Sequence, residues 1–223
     1  MFSGIAARYD LLNHLLSGNT DKRWRQRVVR KLHSVLSDPE KIVLDVACGT
    51  GDLTLALAFE AKAHVIGTDF CRPMLSIANA KGESKFAETP FVEADALSLP
   101  FADECFDAVT IAFGLRNLSS VDQGLLELRR VLKSGGQLVI LEFSEPVVPG
   151  FRQLFAFYFS TVLPRIGGWV SGSRGAYEYL PDSVSRFPNQ RILVEKLLKS
   201  GYSGVEFENV TGGIAAIHVG QRI

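Results

Sequence analysis

The chain has 223 residues, 47% hydrophobic and 22% charged, and its 24 basic and 24 acidic side chains cancel to a net charge of zero. That balance excludes a strongly basic nucleic-acid binder, and no apolar run reaches membrane-spanning length. Cys48, Cys71 and Cys105 carry neither metal nor redox spacing, and the first residues lack a signal-peptide pattern, so a cytoplasmic chain with reduced thiols is expected.

In chain order, residues 1–20 hold Tyr9, Leu11, Leu12, Leu15 and Leu16, an apolar face that Gly18-Asn19 would end. Asp21 to Leu36 predicts a helix with Trp24, Val28, Leu32 and Val35/Leu36 on one side. Lys22, Arg23, Arg25, Arg27, Arg30 and Lys31 populate the rest, either as a solvated face or as a contact for an anionic membrane surface. Asp38-Pro39-Glu40 breaks the pattern, so residues 1–40 read as an N-terminal helical cap on a single domain spanning 1–223.

Ile42 to Thr54, I-V-L-D-V-A-C-G-T-G-D-L-T, reads as a buried parallel strand, a glycine turn (Gly49-Thr50-Gly51) and the start of a helix. Asp45 sits inside the strand end, where a carboxylate is costly unless it is paired or faces a ligand. A second strand, Ala63 to Thr68, ends in Asp69-Phe70, and an acid there is placed to accept from the two hydroxyls of a ribose. A dinucleotide fingerprint wants a third glycine where this chain has Thr54, so the close helix–strand packing that glycine allows is absent and a dinucleotide matches the turn poorly. Arg72 to Lys81 predicts the next helix, and strand three, Pro90 to Glu93, delivers Asp95-Ala96, either a capped loop or an adenine contact.

Strand four, Phe106 to Phe113, runs into Gly114-Leu115-Arg116-Asn117 on the carboxyl edge, where open α/β sheets bind ligands. A helix from Val121 to Leu132, a turn at Lys133–Gly136 and strand five, Gln137 to Phe143, follow, with Glu142 and Glu145 flanking the strand end. Residues 146–188 form an aromatic insertion, including Phe151, Phe155, Phe157, Tyr158 and Phe159, that reads as a lid over a flat apolar substrate or as a core helix. The tail predicts a helix, Asn189 to Ser200, and an antiparallel strand pair, Gly204–Val210 and Ile214–Gln221. Charge is uneven along this order: residues 42–145 hold eight Lys/Arg against fifteen Asp/Glu, an acidic centre that either suits a cationic ligand or is simply solvated.

The pattern D-x-A-C-G-T-G with an acid ending strand two resembles the S-adenosylmethionine fingerprint of Rossmann-like class I methyltransferases. Tyr9-Asp10-Leu11-Leu12-Asn13, Gly114-Leu115-Arg116-Asn117, L-E-F-S at 141–144, Leu163-Pro164-Arg165-Ile166-Gly167 and Tyr177-x-Tyr-Leu are more specific. With them the chain resembles, over nearly its whole length, the quinone-biosynthesis C-methyltransferases acting on demethylmenaquinone and on a polyprenyl-benzoquinol precursor of ubiquinone. The fold so implied is a mostly parallel seven-stranded sheet with helices on both faces and an antiparallel C-terminal strand pair.

The resemblance implies S-adenosyl-L-methionine as cosubstrate, held by Asp45, Gly49, Thr50, Gly51, Asp69, Phe70, Asp95 and Ala96, with no metal and no nucleic-acid partner. The acceptor it implies is a prenylated quinol, reached through peripheral contact with the inner face of the membrane. Methylating a ring carbon requires phenolate character in the acceptor, so Arg116 is expected to stabilise that charge and Asn117 to orient it. The other reading of Arg116 is a salt bridge to a nearby acid. His14, Tyr177 and Tyr179 are candidate bases in the lid. The competing functions are a methyltransferase for another apolar small molecule and a non-catalytic subunit that binds the donor or a quinone.

Overall fold

The computed structural model describes residues 19–85, 89–148 and 182–223. Seven strands form one sheet in the order β3-β2-β1-β4-β5-β7-β6. They are β1 (Ile42–Val46), β2 (His64–Asp69), β3 (Phe91–Glu93), β4 (Phe106–Ala112), β5 (Leu132–Phe143), β6 (Tyr202–Val210) and β7 (Ala215–Arg222). Strands β1 to β5 pair in parallel, whereas β7 runs antiparallel to both β5 and β6. The expected tail pair is there, with its second strand inserted next to β5 and its first on the edge.

Successive residues of a strand face opposite sides, and the sheet interior is apolar on both. Val43, Ala108, Val139 and Leu141 face one layer, formed by α1 (Thr20–Lys31), α2 (His33–Leu36) and α3 (Asp52–Glu60). Leu44, Val109, Leu138 and Ile140 face the other, where α5 (Val121–Val131) and α6 (Gln190–Lys199) supply Leu125, Leu128, Leu193 and Leu197. Helix α4 (Arg72–Lys85) joins β2 to β3. Ser120 and Asn189 cap α5 and α6 by accepting from the amides of Gln123 and Ile192.

Most element ends shift by a few residues from expectation, and two departures go further. The helix expected over Asp21–Leu36 breaks at Leu32, whose φ of −101° and ψ of 7° separate α1 from α2 while its side chain stays buried with Trp24, Val28 and Leu36. The turn expected at Lys133–Gly136 lies within β5, where the ladder with β4 slips between Phe106 and Ala108 and Gly135 takes the left-handed φ of 75°.

The basic face of α1 is also smaller than its sequence suggests. Arg25 pairs with Asp21, and Arg27 and Lys31 both pair with Glu208 of β6. Of its exposed cations, Lys22, Arg23, Arg27 and Arg30, only Arg27 has a carboxylate partner among the described residues. No helix among the described residues is long and apolar enough to cross a membrane. The expected cap residues 1–18 and the part of the insertion from 149 to 181, including His14, Tyr177 and Tyr179, lie outside the described residues.

Candidate active site

The site is built at the carboxyl edge, where the turns after β1, β2, β3 and β4 meet. The turn after β1 has Ala47, Gly49 and Gly51 at φ of 53°, 58° and 80°. Gly51 is required twice over, because a Cβ there would lie 3.0 Å from Ala78 and from Phe91. Gly49 is different: a Cβ built on it meets nothing within 4 Å, so this part of the turn borders open space.

Asp69, at the end of β2, ties the neighbouring turns together. Its Oδ2 accepts from the Gly49 amide at 2.8 Å and its Oδ1 from the Cys71 amide at 2.7 Å. Burial raises its pKa, and those amides act in the opposite direction. A carboxylate carries about four acceptor sites, so capacity remains for the hydroxyls of a ligand. Phe70 beside it is 77% exposed, a bare aromatic face. Asp95 is exposed with Oδ1 accepting from the Leu97 amide at 2.9 Å, and Ala96 is buried behind it. Thr50 is buried within the turn.

Asp45 has an interior partner set. It is 1% exposed, and its two oxygens accept from the hydroxyls of Thr54 and Thr110, each at 2.6 Å. Of the two conditions under which a strand-end carboxylate is tolerated, the structure supplies pairing. Burial pushes its pKa up to about 6, against the two hydroxyls that lower it. Sequence spacing could not pick these threonines, although the β1–β4 register sets Asp45 opposite Thr110.

The fourth turn brings Arg116. Phe113 takes a left-handed φ of 57°, and Leu115–Asn117 form one 3₁₀ turn. A Cβ at Gly114 would lie 2.5 Å from that of Ala47, so this turn packs directly on the turn after β1. Arg116 Nη1 donates to Glu142 Oε1 at 2.7 Å and to the Phe113 carbonyl at 2.5 Å. The ion pair is buried, with side-chain exposures of 6% and 2%. Asn117 Nδ2 donates to the same Phe113 carbonyl at 3.2 Å. The salt bridge weighed for Arg116 is therefore present, yet its Nε–H is buried without an acceptor among the described residues.

An aromatic cluster that the sequence did not single out lies beneath. Trp24, Phe113 and Phe143 pack with ring centroids 4.8 to 6.5 Å apart, and Trp24 Nε1 donates to Thr211 at 2.9 Å. The Arg116 guanidinium carbon lies 5.2 Å from the centre of the Phe143 ring. Among the described residues no group of His, Cys, Asp or Glu could hold a metal ion.

The residues fit a nucleoside donor: an open glycine, an acid with acceptor capacity, an exposed aromatic and a small buried residue line adjoining turns. The chain is 52% identical to a demethylmenaquinone methyltransferase of Thermus thermophilus, covering all of both chains. It is 45% identical to the ubiquinone/menaquinone biosynthesis C-methyltransferase UbiE of a Geobacter species, covering all of this chain and 94% of the other. A methyltransferase of Aquifex aeolicus that depends on S-adenosylmethionine shares its fold, with a TM-score of 0.65 and 19% identity over 89% of each chain. The ubiE/COQ5 methyltransferase family matches residues 1–222, and the chain belongs to that family of enzymes dependent on S-adenosylmethionine.

Proposed function

We propose that this chain transfers a methyl group from S-adenosylmethionine to a ring carbon of a prenylated hydroquinone, either demethylmenaquinol or the benzoquinol precursor of ubiquinone. The acceptor class is supported by the names of relatives that align along the whole chain. The role of Arg116 is carried by one observation, its buried Nε–H with no acceptor among the described residues, in a turn packed on the glycine turn.

When bound, S-adenosylmethionine supplies an electrophilic methyl group on a sulfonium. Gly49, Thr50 and Gly51 border it, Asp69 accepts from its ribose hydroxyls beside Phe70, and Asp95 and Ala96 serve its adenine. Asp45 acts from the strand, holding the first turn of α3 through Thr54.

A neutral ring carbon is a weak nucleophile, and ionising an adjacent hydroxyl pushes negative charge onto it. Arg116 stabilises that oxyanion, an interaction that is strongest where water is kept out. Asn117 fixes the Phe113 carbonyl and orients the acceptor. His14, Tyr177 and Tyr179 remain the candidate proton acceptors. Contact with an anionic membrane is assigned to Lys22, Arg23 and Arg30.

The test is incubation with methyl-labelled donor and a panel of demethylmenaquinols and benzoquinols. Label should enter the ring of at least one quinol. A protein that binds donor yet labels none of them, or that prefers a nicotinamide dinucleotide, would overturn the reading.

A further inference from the structure

The carboxylate of Glu142, near the end of β5, grips one residue twice. Oε1 accepts from Arg116 Nη1 at 2.7 Å, while Oε2 accepts from the Arg116 backbone amide at 3.2 Å. Oε1 also takes the Phe143 amide at 2.8 Å, which anchors the acid to its own strand. The Phe113 carbonyl holds the same Nη1, and the Phe143 ring flanks the guanidinium.

A carboxylate that serves only to neutralise an arginine commonly meets it side-on, with two N–H groups on two oxygens. Here the second oxygen holds the backbone of the 3₁₀ turn, and Nε–H stays buried without an acceptor among the described residues. A buried donor left unsatisfied is costly, so its presence points to an acceptor brought by a ligand.

We infer that Glu142 is a positioning residue for methyl transfer, clamping Arg116 by main chain and side chain so that Nε–H meets the acceptor's oxygen. The inference rests on the assignment of Arg116 to that oxygen. Glu142 itself touches no reacting atom. Its effect is geometric: shortening it by one methylene must move the guanidinium, the turn, or both.

Glu142→Asp keeps the charge and withdraws the carboxylate, whereas Arg116→Gln with Glu142→Gln replaces the ion pair by a neutral amide pair. Turnover is counted per donor-binding site by calorimetry, so loss of folded protein does not enter. A second readout is the ionisation midpoint of 1-naphthol bound with S-adenosylhomocysteine, followed by absorbance. In the unmodified protein that midpoint should lie below the value for free naphthol.

Glu142→Asp should lower turnover about 100-fold, the scale of a misplacement near 1 Å, with donor affinity within about twofold. Its naphthol midpoint should return toward the free value. Should it keep both the turnover and the midpoint of the unmodified protein while the amide pair loses both, Arg116 stands and Glu142 is not its positioning residue. An amide pair that keeps both would remove Arg116 itself and this inference with it. If Glu142→Asp binds no donor, Glu142→Gln carries the same comparison, since it keeps the arginine's charge and gives up the double grip.

Discussion

The amide of Gly49 donates to the carboxylate of Asp69 across 2.8 Å, so the turn after β1 and the acid ending β2 form one unit. Asp69 therefore closes the glycine turn, and the proposed function gives it a second task at the donor's ribose. Asp69→Ala should weaken S-adenosylmethionine binding by about 1.5–3 kcal/mol, the scale of a hydrogen bond to a charged group. Calorimetry showing unchanged affinity would remove Asp69 from the site.

Arg116 and Glu142 are buried together, so removing one strands the other. Arg116→Ala should cost about 3–5 kcal/mol of folding stability by leaving a buried carboxylate unpaired. Adding Glu142→Gln should restore part of that loss. Urea denaturation of both variants checks this, and equal losses in the two would mean that the stranded charge is not the cause.

Asp45 and His218 should give opposing pH dependences of stability. The pKa of Asp45 is raised from 3.8 to about 6, so the folded state holds its proton more tightly. Its contribution is greatest below pH 3.8 and falls by about 3 kcal/mol as pH rises through 6. His218 is 2% exposed, its Nε2–H donates to the Gln190 carbonyl at 3.0 Å, and its Nδ1 has no partner among the described residues. Burial lowers its pKa from 6.5 to about 4, so stability is full above 6.5 and falls by about 3 kcal/mol as pH drops through 4. Between pH 4 and 6 the two nearly cancel. Asp45→Asn should expose a fall in stability on acidification, and His218→Gln a rise. Denaturation midpoints across that range measure both, and parallel profiles in the two variants would contradict the assignment.

Membrane adsorption should depend on the cations that pair with no carboxylate among the described residues. Each Lys or Arg near an anionic surface contributes about 1 kcal/mol, and salt screens it. Changing Lys22, Arg23 and Arg30 to Ser should reduce co-sedimentation with anionic liposomes more than Arg27→Ser, because Arg27 already pairs with Glu208. No adsorption at low salt by the unmodified protein would leave that face merely solvated.

The sequence by itself determined the order of strands and helices, the glycine turn and the positions of Asp69, Asp95 and Arg116 at strand ends. These follow from local signals: apolar runs of strand length, helical spacing, and glycines that alone accept φ values such as the 80° of Gly51. Only the tertiary structure decided what those residues meet. Asp45 finds Thr110 through the β1–β4 register, Arg116 finds Glu142 because β4 and β5 are neighbours, and Arg27 finds Glu208 at the sheet's far edge. A side chain's spacing along the chain sets its face, whereas its partner depends on which strands lie side by side. That order comes from burying both faces of the whole sheet, and no single stretch of sequence contains it.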